Sequence, residues 1–284
     1  MTTDKAAPGK GGKRWRTLLA GLLLAVLLGS YPWVINRCAF YPERDNPWTG
    51  QRLPAGVQEV YLTTADGQRL HCYWLPQPAA ERVVIYFHGN AGHIGHRLPE
   101  LQHLTTMGCN VLGVSYRGYG LSSGRPTEAG IYADGQAALA HVTEQLHFPL
   151  DRVFVLGRSI GSTVAVALGQ SHALGGVILV TPLTSGKEMA RIHGFGLLSA
   201  FAGSRFDNTS KIGRLQAPLL VLHGTEDTIT PYFMGRRIYE QAPSPKRFVT
   251  LEGGGHNDIG RPDDDAYWTP IADFMDWAQG RKTH

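Results

Sequence analysis

Val153-Phe154-Val155-Leu156-Gly157-Arg158-Ser159-Ile160-Gly161-Ser162-Thr163-Val164-Ala165 is the stretch on which the reading of this chain turns. An apolar, β-branched run enters a serine flanked by glycines and leaves through small, helix-compatible residues. A strand running straight into a helix must turn sharply, and the tight turn lifts the serine hydroxyl clear of the sheet. Glycines two positions before and after the serine give the room such a turn needs. The following helix N-terminus offers the N–H of Ile160 to a developing oxyanion. The motif is thus read as a nucleophile, Ser159, on a strand–turn–helix element.

The surrounding sequence repeats that alternation. Val57–Thr64 and Arg69–Leu75 flank a turn with Asp66-Gly67 at its centre and read as a hairpin. Further strand-like runs span Arg82–Phe87, Asn110–Ser115, Arg152–Gly157, Gly176–Thr181, Pro218–His223 and Arg247–Leu251. Helical stretches lie between them at about Arg97–Met107, Thr127–Gln145, Gly161–Ser171, Pro231–Gln241 and Asp264–Gln279. An antiparallel start followed by strand–helix alternation predicts an α/β fold, a mostly parallel twisted sheet with helices on both faces. The interval 182–216 breaks the rhythm. It has no clear strand, yet it carries Met189, Ile192, Phe195, Leu197, Leu198 and Phe201, and is expected to be a short lid-like insertion or a long-tailed crossover helix.

A serine nucleophile needs a base and an orienting acid, and in a sheet of this kind they follow it as Asp or Glu and then His. Asp227 follows the strand ending near His223, and His256 follows Gly253-Gly254-Gly255 after the strand ending at Leu251. Both therefore fall at the carboxyl edge of a parallel sheet, where ligands meet such sheets. The catalytic set expected is Ser159, Asp227 and His256. Glu226 and Asp258 are the rivals for the acid, and His223 is read as a turn residue. The loop Phe87-His88-Gly89-Asn90-Ala91-Gly92 follows the first parallel strand, and the backbone N–H of Asn90 is expected to be the second oxyanion donor beside Ile160. His88, His93 and His96 carry no H-E-x-x-H spacing, so neither a metal nor a cofactor is expected.

Several motifs in order resemble the α/β-hydrolases of the serine-aminopeptidase-like group, especially the membrane-anchored branch containing α/β-hydrolase-domain proteins 13 and 17. They are Tyr86–Gly92, Ser115-Tyr116-Arg117-Gly118-Tyr119-Gly120 with Ser122, Gly124 and Pro126, and Gly157–Gly161. Arg205-Phe206-Asp207-Asn208, His223-Gly224 with Asp227 and Pro231, and Gly255-His256-Asn257-Asp258 complete the set. The resemblance covers about Tyr41 to Trp277. It implies an α/β-hydrolase fold, hydrolysis of an ester, thioester or amide through an acyl-enzyme, and triad positions at Ser159, Asp227 and His256. The chain lacks the cysteine-rich N-terminus of the protein-depalmitoylating members.

The 284 residues suit one large α/β domain with a short appendage. The net charge of +4 is confined to residues 1–16, where Lys5, Lys10, Lys13, Arg14 and Arg16 face Asp4. Of 27 basic and 23 acidic side chains, 22 of each remain beyond it, so no nucleic-acid face is expected. Thr17–Asn36 is uncharged, long enough for a hydrocarbon core of roughly 30 Å, and lacks a small-residue cleavage site. It reads as a transmembrane anchor with Tyr31 and Trp33 at its exit, a cleaved signal peptide being the alternative. The basic flank places the N-terminus in the cytoplasm and the catalytic domain outside it, in the periplasm if the source is a Gram-negative bacterium. The expected organisation is a basic N-terminus (1–16), an anchor (17–36), a linker (37–56) and a catalytic domain (57–280). Cys38, Cys72 and Cys109 form no disulfide framework, although one pair is open in an oxidising compartment. The expected partners are the membrane, through residues 17–36, and a small-molecule or lipid-like acyl substrate. Aminopeptidase-like amide hydrolysis and a silent hydrolase-fold binding protein are the alternatives.

Overall fold

The computed structural model describes residues 39–46, 48–194 and 205–280. The proposed anchor at Thr17–Asn36 lies outside the described residues, and among those described no helix is long and apolar enough to cross a membrane. Eight strands form the central sheet: β1 (Gln58–Thr63), β2 (Arg69–Leu75), β3 (Val83–Phe87), β4 (Asn110–Val114), β5 (Val153–Arg158), β6 (Gly176–Val180), β7 (Leu219–Gly224) and β8 (Lys246–Leu251). Their spatial order is β8-β7-β6-β5-β3-β4-β2-β1. The β1–β2 and β2–β4 pairs are antiparallel, and all others are parallel. This is the mostly parallel sheet predicted from the sequence, in the α/β-hydrolase arrangement that the resemblance implies.

The central strands are buried along their whole length, as parallel strands covered on both faces must be. Seven helices accompany them among the described residues: α1 (Leu98–Thr105), α2 (Glu128–Ala140), α3 (Gly161–Gly169), α4 (Gly186–Ile192), α5 (Thr209–Ile212), α6 (Tyr232–Gln241) and α7 (Asp265–Ala278). The expected helix to Gln145 departs from α geometry after Ala140 and finishes as one wider turn, His141–Gln145, closed by Leu146 N–H donating to the His141 carbonyl. The β-branched Thr143 sits in that turn with its hydroxyl donating to the Leu139 carbonyl at 3.0 Å.

Two buried features tie loops to this frame. Arg117, from the Ser115–Gly120 motif, makes a two-point contact with Asp134 of α2: its N–H and Nε–H each donate to one carboxylate oxygen at 2.8 Å. Its other nitrogens reach Asp66 in the β1–β2 turn at 2.7 and 3.0 Å. One guanidinium thereby fastens hairpin, motif loop and helix, a use that exploits its planar fork of donors. Residues 40–42, inside the expected linker, are also part of the domain. Phe40 is buried against Tyr119 and Phe206, with ring centroids at 6.5 and 5.7 Å. Tyr41 and Pro42 pair in parallel with Ala91 and Gly92.

The interval 182–216 contributes α4 and α5. Its two described ends are fixed: Asn208 Nδ2 donates to the Leu183 carbonyl at 2.8 Å and to Ser162 Oγ at 3.1 Å, and Glu188 binds Arg237 of α6. Cys72 and Cys109 are both buried and free. Burial pushes both thiols up, Cys109 to about 12, so neither supplies a thiolate.

The turn between β5 and α3 leaves no space at its glycines. A Cβ on Gly157 would overlap the Gly161 carbonyl, and one on Gly161 would overlap the Phe87 carbonyl. Gly161→Ala is therefore expected to lower unfolding free energy by about 1–3 kcal/mol, because the obstructing atoms are backbone and cannot swing aside. A urea midpoint unchanged from wild type would contradict this account of the turn.

Candidate active site

Ser159 sits at φ 52°, in the left-handed region that a residue with a Cβ seldom occupies. Its N–H donates to the Val180 carbonyl at 2.9 Å, and its own carbonyl accepts from Ser162 N–H at 3.0 Å. The strained backbone is thus held between the end of β6 and the first turn of α3. Ser159 is 8% exposed. Its hydroxyl makes no hydrogen bond to His256 or to any other described residue, and in such sites that contact often closes only around substrate.

Asp227 and His256 are brought together across the ends of β7 and β8. His256 Nδ1–H donates to Asp227 Oδ2 at 2.7 Å, with Thr230 Oγ1 as a second acceptor at 3.0 Å. That hydroxyl donates in turn to Asp227 Oδ2 at 2.8 Å. The other carboxylate oxygen accepts from the N–H groups of Ile229 and Thr230 at 2.9 and 2.8 Å. His223, fully buried, donates through Nε2 to the Thr230 carbonyl at 2.7 Å and lies 3.4 Å from Asp227 Oδ2. Burial alone would raise the Asp227 carboxyl, but the imidazoles of His223 and His256 beside it outweigh burial and hold the group well below the usual carboxylate range. The arrangement keeps a negative charge beside the imidazole and fixes the tautomer that leaves Nε2 free to accept a proton.

The rival acids point elsewhere. Glu226 and Asp258 are both exposed, and Asp258 accepts from Gly255 N–H at 2.7 Å within its own loop. His223, read from the sequence as a turn residue, lies within β7, and its ring reaches the Thr230 carbonyl in the turn beyond the strand.

Asn90 and Ile160, the two expected oxyanion donors, have backbone N–H groups that no described residue accepts. Gly89 brings the loop close to the nucleophile: a Cβ there would stand 3.7 Å from Ser159 Cβ. The peptide bearing the Asn90 N–H is oriented from its opposite end, where His88 Nδ1–H donates to the Gly89 carbonyl at 2.7 Å. Because a peptide is planar and trans, fixing that carbonyl fixes the N–H on the other side. His88 is fully buried against Tyr116 and Tyr119, with ring centroids at 4.5 and 5.0 Å. Burial lowers its pKa to about 3, which keeps the ring neutral. The Asn90 carbonyl is held from two sides, by Tyr119 O–H at 2.7 Å and Tyr41 N–H at 2.8 Å.

Thr230 and His88 are the site residues that sequence reasoning passed over. Thr230 is an ordinary threonine in a turn, and nothing short of the folded turn marks it. His88 had a signal, a histidine directly before the glycine of the first loop, which was considered only as a metal ligand. Among the described residues no group of three or more His, Cys, Asp or Glu side chains is arranged to hold a metal. An open pocket of about 680 Å³ lies elsewhere, lined by Asn46, Trp48, Leu53, Val57, Glu59 and Leu121 among others. It reaches none of Ser159, Asp227 and His256.

Comparison with known proteins agrees with the fold. Residues 78–212 match the family model described as serine aminopeptidase, S33, and residues 202–280 match that of a TAP-like protein. Human α/β-hydrolase domain-containing protein 17B is 33% identical over 204 residues, covering 71% of this chain and 70% of the relative. The Xenopus laevis protein of the same name is 32% identical over the same shares. Among solved structures, an esterase of Pyrococcus furiosus superposes with a TM-score of 0.70 over 84% of this chain and 98% of its own, at 19% identity. Acetyl xylan esterase 1 of a Thermoanaerobacterium species does so with a TM-score of 0.64 over 89% and 93%, at 16% identity. The hydroxyl-bearing turn, the sheet that carries it and these relatives lead to one assignment: the chain belongs to the α/β-hydrolases, in the serine-aminopeptidase-like group that includes α/β-hydrolase domain-containing protein 17B.

Proposed function

We propose that this hydrolase is a membrane-anchored serine esterase or thioesterase that cleaves a lipid-like or acylated substrate through an acyl-enzyme. The observation that carries the reading is Ser159, raised at positive φ from the end of β5, with an aspartate-held imidazole on the loops that follow β7 and β8. In the first half-reaction Ser159 Oγ bonds to the acyl carbon while His256 Nε2 takes the hydroxyl proton. The N–H groups of Asn90 and Ile160 receive the negative oxygen, and the leaving alcohol or thiol takes the proton from His256. Water then repeats the sequence against the acyl-enzyme and restores the serine.

Support for an apolar acyl group comes from Ile229 and Phe233, two exposed large side chains just beyond Asp227, and from the apolar composition of 182–216. Support for anchoring comes from the uncharged run Thr17–Asn36 and the basic residues before it, which put the catalytic domain outside the cytoplasm. A reporter fused after His284 tests this: activity confined to the outside is expected, and cytosolic activity overturns the topology. An amidase is the second reading, because the family model matching 78–212 is described as a serine aminopeptidase. Cleavage of short aminoacyl amides, with lysophospholipid, acylglycerol and acyl-thioester probes untouched, would select it.

Ser159→Ala is expected to abolish labelling by a fluorophosphonate probe and to lower kcat by about 10⁴-fold or more. Undiminished labelling would remove the serine mechanism, and an unlabelled wild type would favour a binding role. Asp227→Asn is expected to cost about 10⁴-fold in kcat while Ser159 remains in place. The same carboxylate has a stability signature. Its folded pKa lies below the unfolded value of about 3.9, so its contribution is complete above that pH and disappears as pH falls through the folded pKa. Urea titrations at pH 6 and pH 3 should show a smaller acid loss in Asp227→Asn than in wild type; equal losses would show that the carboxylate carries no such linkage.

A further inference from the structure

Arg158 occupies the variable position of the Gly157–Gly161 motif, where the strand–turn–helix geometry makes no demand on residue type. Its side chain nevertheless runs 4% exposed beneath the site. Nη2 donates to the carbonyl of His256 at 2.9 Å, and Nη1 donates to the carbonyl of Ile259 at 3.5 Å. Among the described residues no other donor reaches either carbonyl. Nη1 also lies 3.7 Å from Glu100 Oε2, a carboxylate that accepts from Tyr86 O–H and pairs with Arg97 at 3.5 Å. The buried charge is therefore compensated, as a buried guanidinium must be.

The segment that receives this side chain needs support. Residues 252–263 contain no helix or strand, and Gly253, Gly254 and Gly255 precede His256. Before His256 the loop is fixed by Glu226 N–H donating to the Gly254 carbonyl at 2.9 Å, and after it by Gly260 N–H donating to Asp264 at 3.0 Å. Between these points the imidazole is held at Nδ1 by Asp227, and the backbone is held at two carbonyls by Arg158. We infer that Arg158 is a positioning residue that sets the distance between the nucleophile and its base. Its backbone is the covalent neighbour of Ser159, and its guanidinium carries the backbone of His256, so one residue spans both reacting groups. The inference rests on the serine-hydrolase reading above. Two carbonyls and a carboxylate around one group call for a fork of donors, which a lysine ammonium cannot reproduce.

The test compares Arg158→Lys, Arg158→Met and the double variant Arg158→Met/Glu100→Gln, in the full-length protein, with Ser159→Ala as reference. The double variant also removes the carboxylate charge that faced the guanidinium, so that loss of this one pairing is not what is read. A displacement of about 1 Å in a reacting group costs on the order of 100-fold. The expected result is a 10- to 100-fold fall in kcat on a soluble acyl ester with KM within about 3-fold. Fluorophosphonate labelling should still go to completion but at a rate reduced by the same factor, with Arg158→Lys between wild type and Arg158→Met. Amide hydrogen exchange should accelerate selectively over residues 252–260. Folded variants with wild-type kcat and labelling rate overturn the inference, as does a change in KM with kcat unmoved. Failure of both Met variants to fold would make Arg158 a folding residue and overturn it equally. If Ser159→Ala is itself still labelled, the serine mechanism fails first, and that outcome is distinct from every other.

Discussion

A serine backbone held at φ 52° is the constraint around which the rest of the domain is arranged. A left-handed conformation at a residue with a Cβ costs about 1–2 kcal/mol, and surrounding contacts must hold it in place. Here they are the Val180 carbonyl of the adjacent strand, the first hydrogen bond of α3, and glycines packed against backbone carbonyls on either side. Together these contacts draw on four elements. The turn therefore exists only when β3, β5, β6 and α3 are all in register, which makes the hydroxyl's placement a property of the folded sheet.

Around that turn the site is built mainly from main-chain groups oriented by buried side chains. His88 sets the Gly89–Asn90 peptide, Tyr119 and Tyr41 hold the next carbonyl, and Thr230 completes the shell around Asp227. Fixed dipoles of this sort need not reorganise as charge develops, which is how a water-poor site stabilises an oxyanion. The Arg158 guanidinium extends the same logic to the loop carrying His256.

The sheet was legible because its strands announce themselves as short β-branched runs separated by helical periods, and the antiparallel start by Asp66-Gly67. The chain order of the proposed set, Ser159, Asp227 and His256, could be put forward for the same reason, since each follows a recognisable strand. The choice of Asp227 over Glu226 could not be read from adjacent carboxylates; it required the turn that sends one inward and leaves the other in solvent. Arg158 was hidden because its partners lie about a hundred residues away, at backbone carbonyls that leave no trace in side-chain pattern. Phe40 was hidden by its neighbourhood, a proline-containing approach whose composition reads as linker. Its burial depends on Tyr119 and Phe206 meeting in space.

That last packing relocates the boundary of the domain. The folding unit begins at Phe40, ahead of the first strand of the central sheet, and its opening residues are stitched to the loop bearing Asn90. Burial of one phenylalanine is worth about 1.5–3 kcal/mol, a sizeable share of the stability of an ordinary domain. The compact unit thus opens beside the loop bearing Asn90 rather than at an edge strand of the central sheet. Any load applied ahead of Phe40, by a tether or a fused partner, meets the Phe40 packing and then the pairing of Tyr41 and Pro42 with Ala91 and Gly92, so that mechanical tension is led into the loop that carries Asn90.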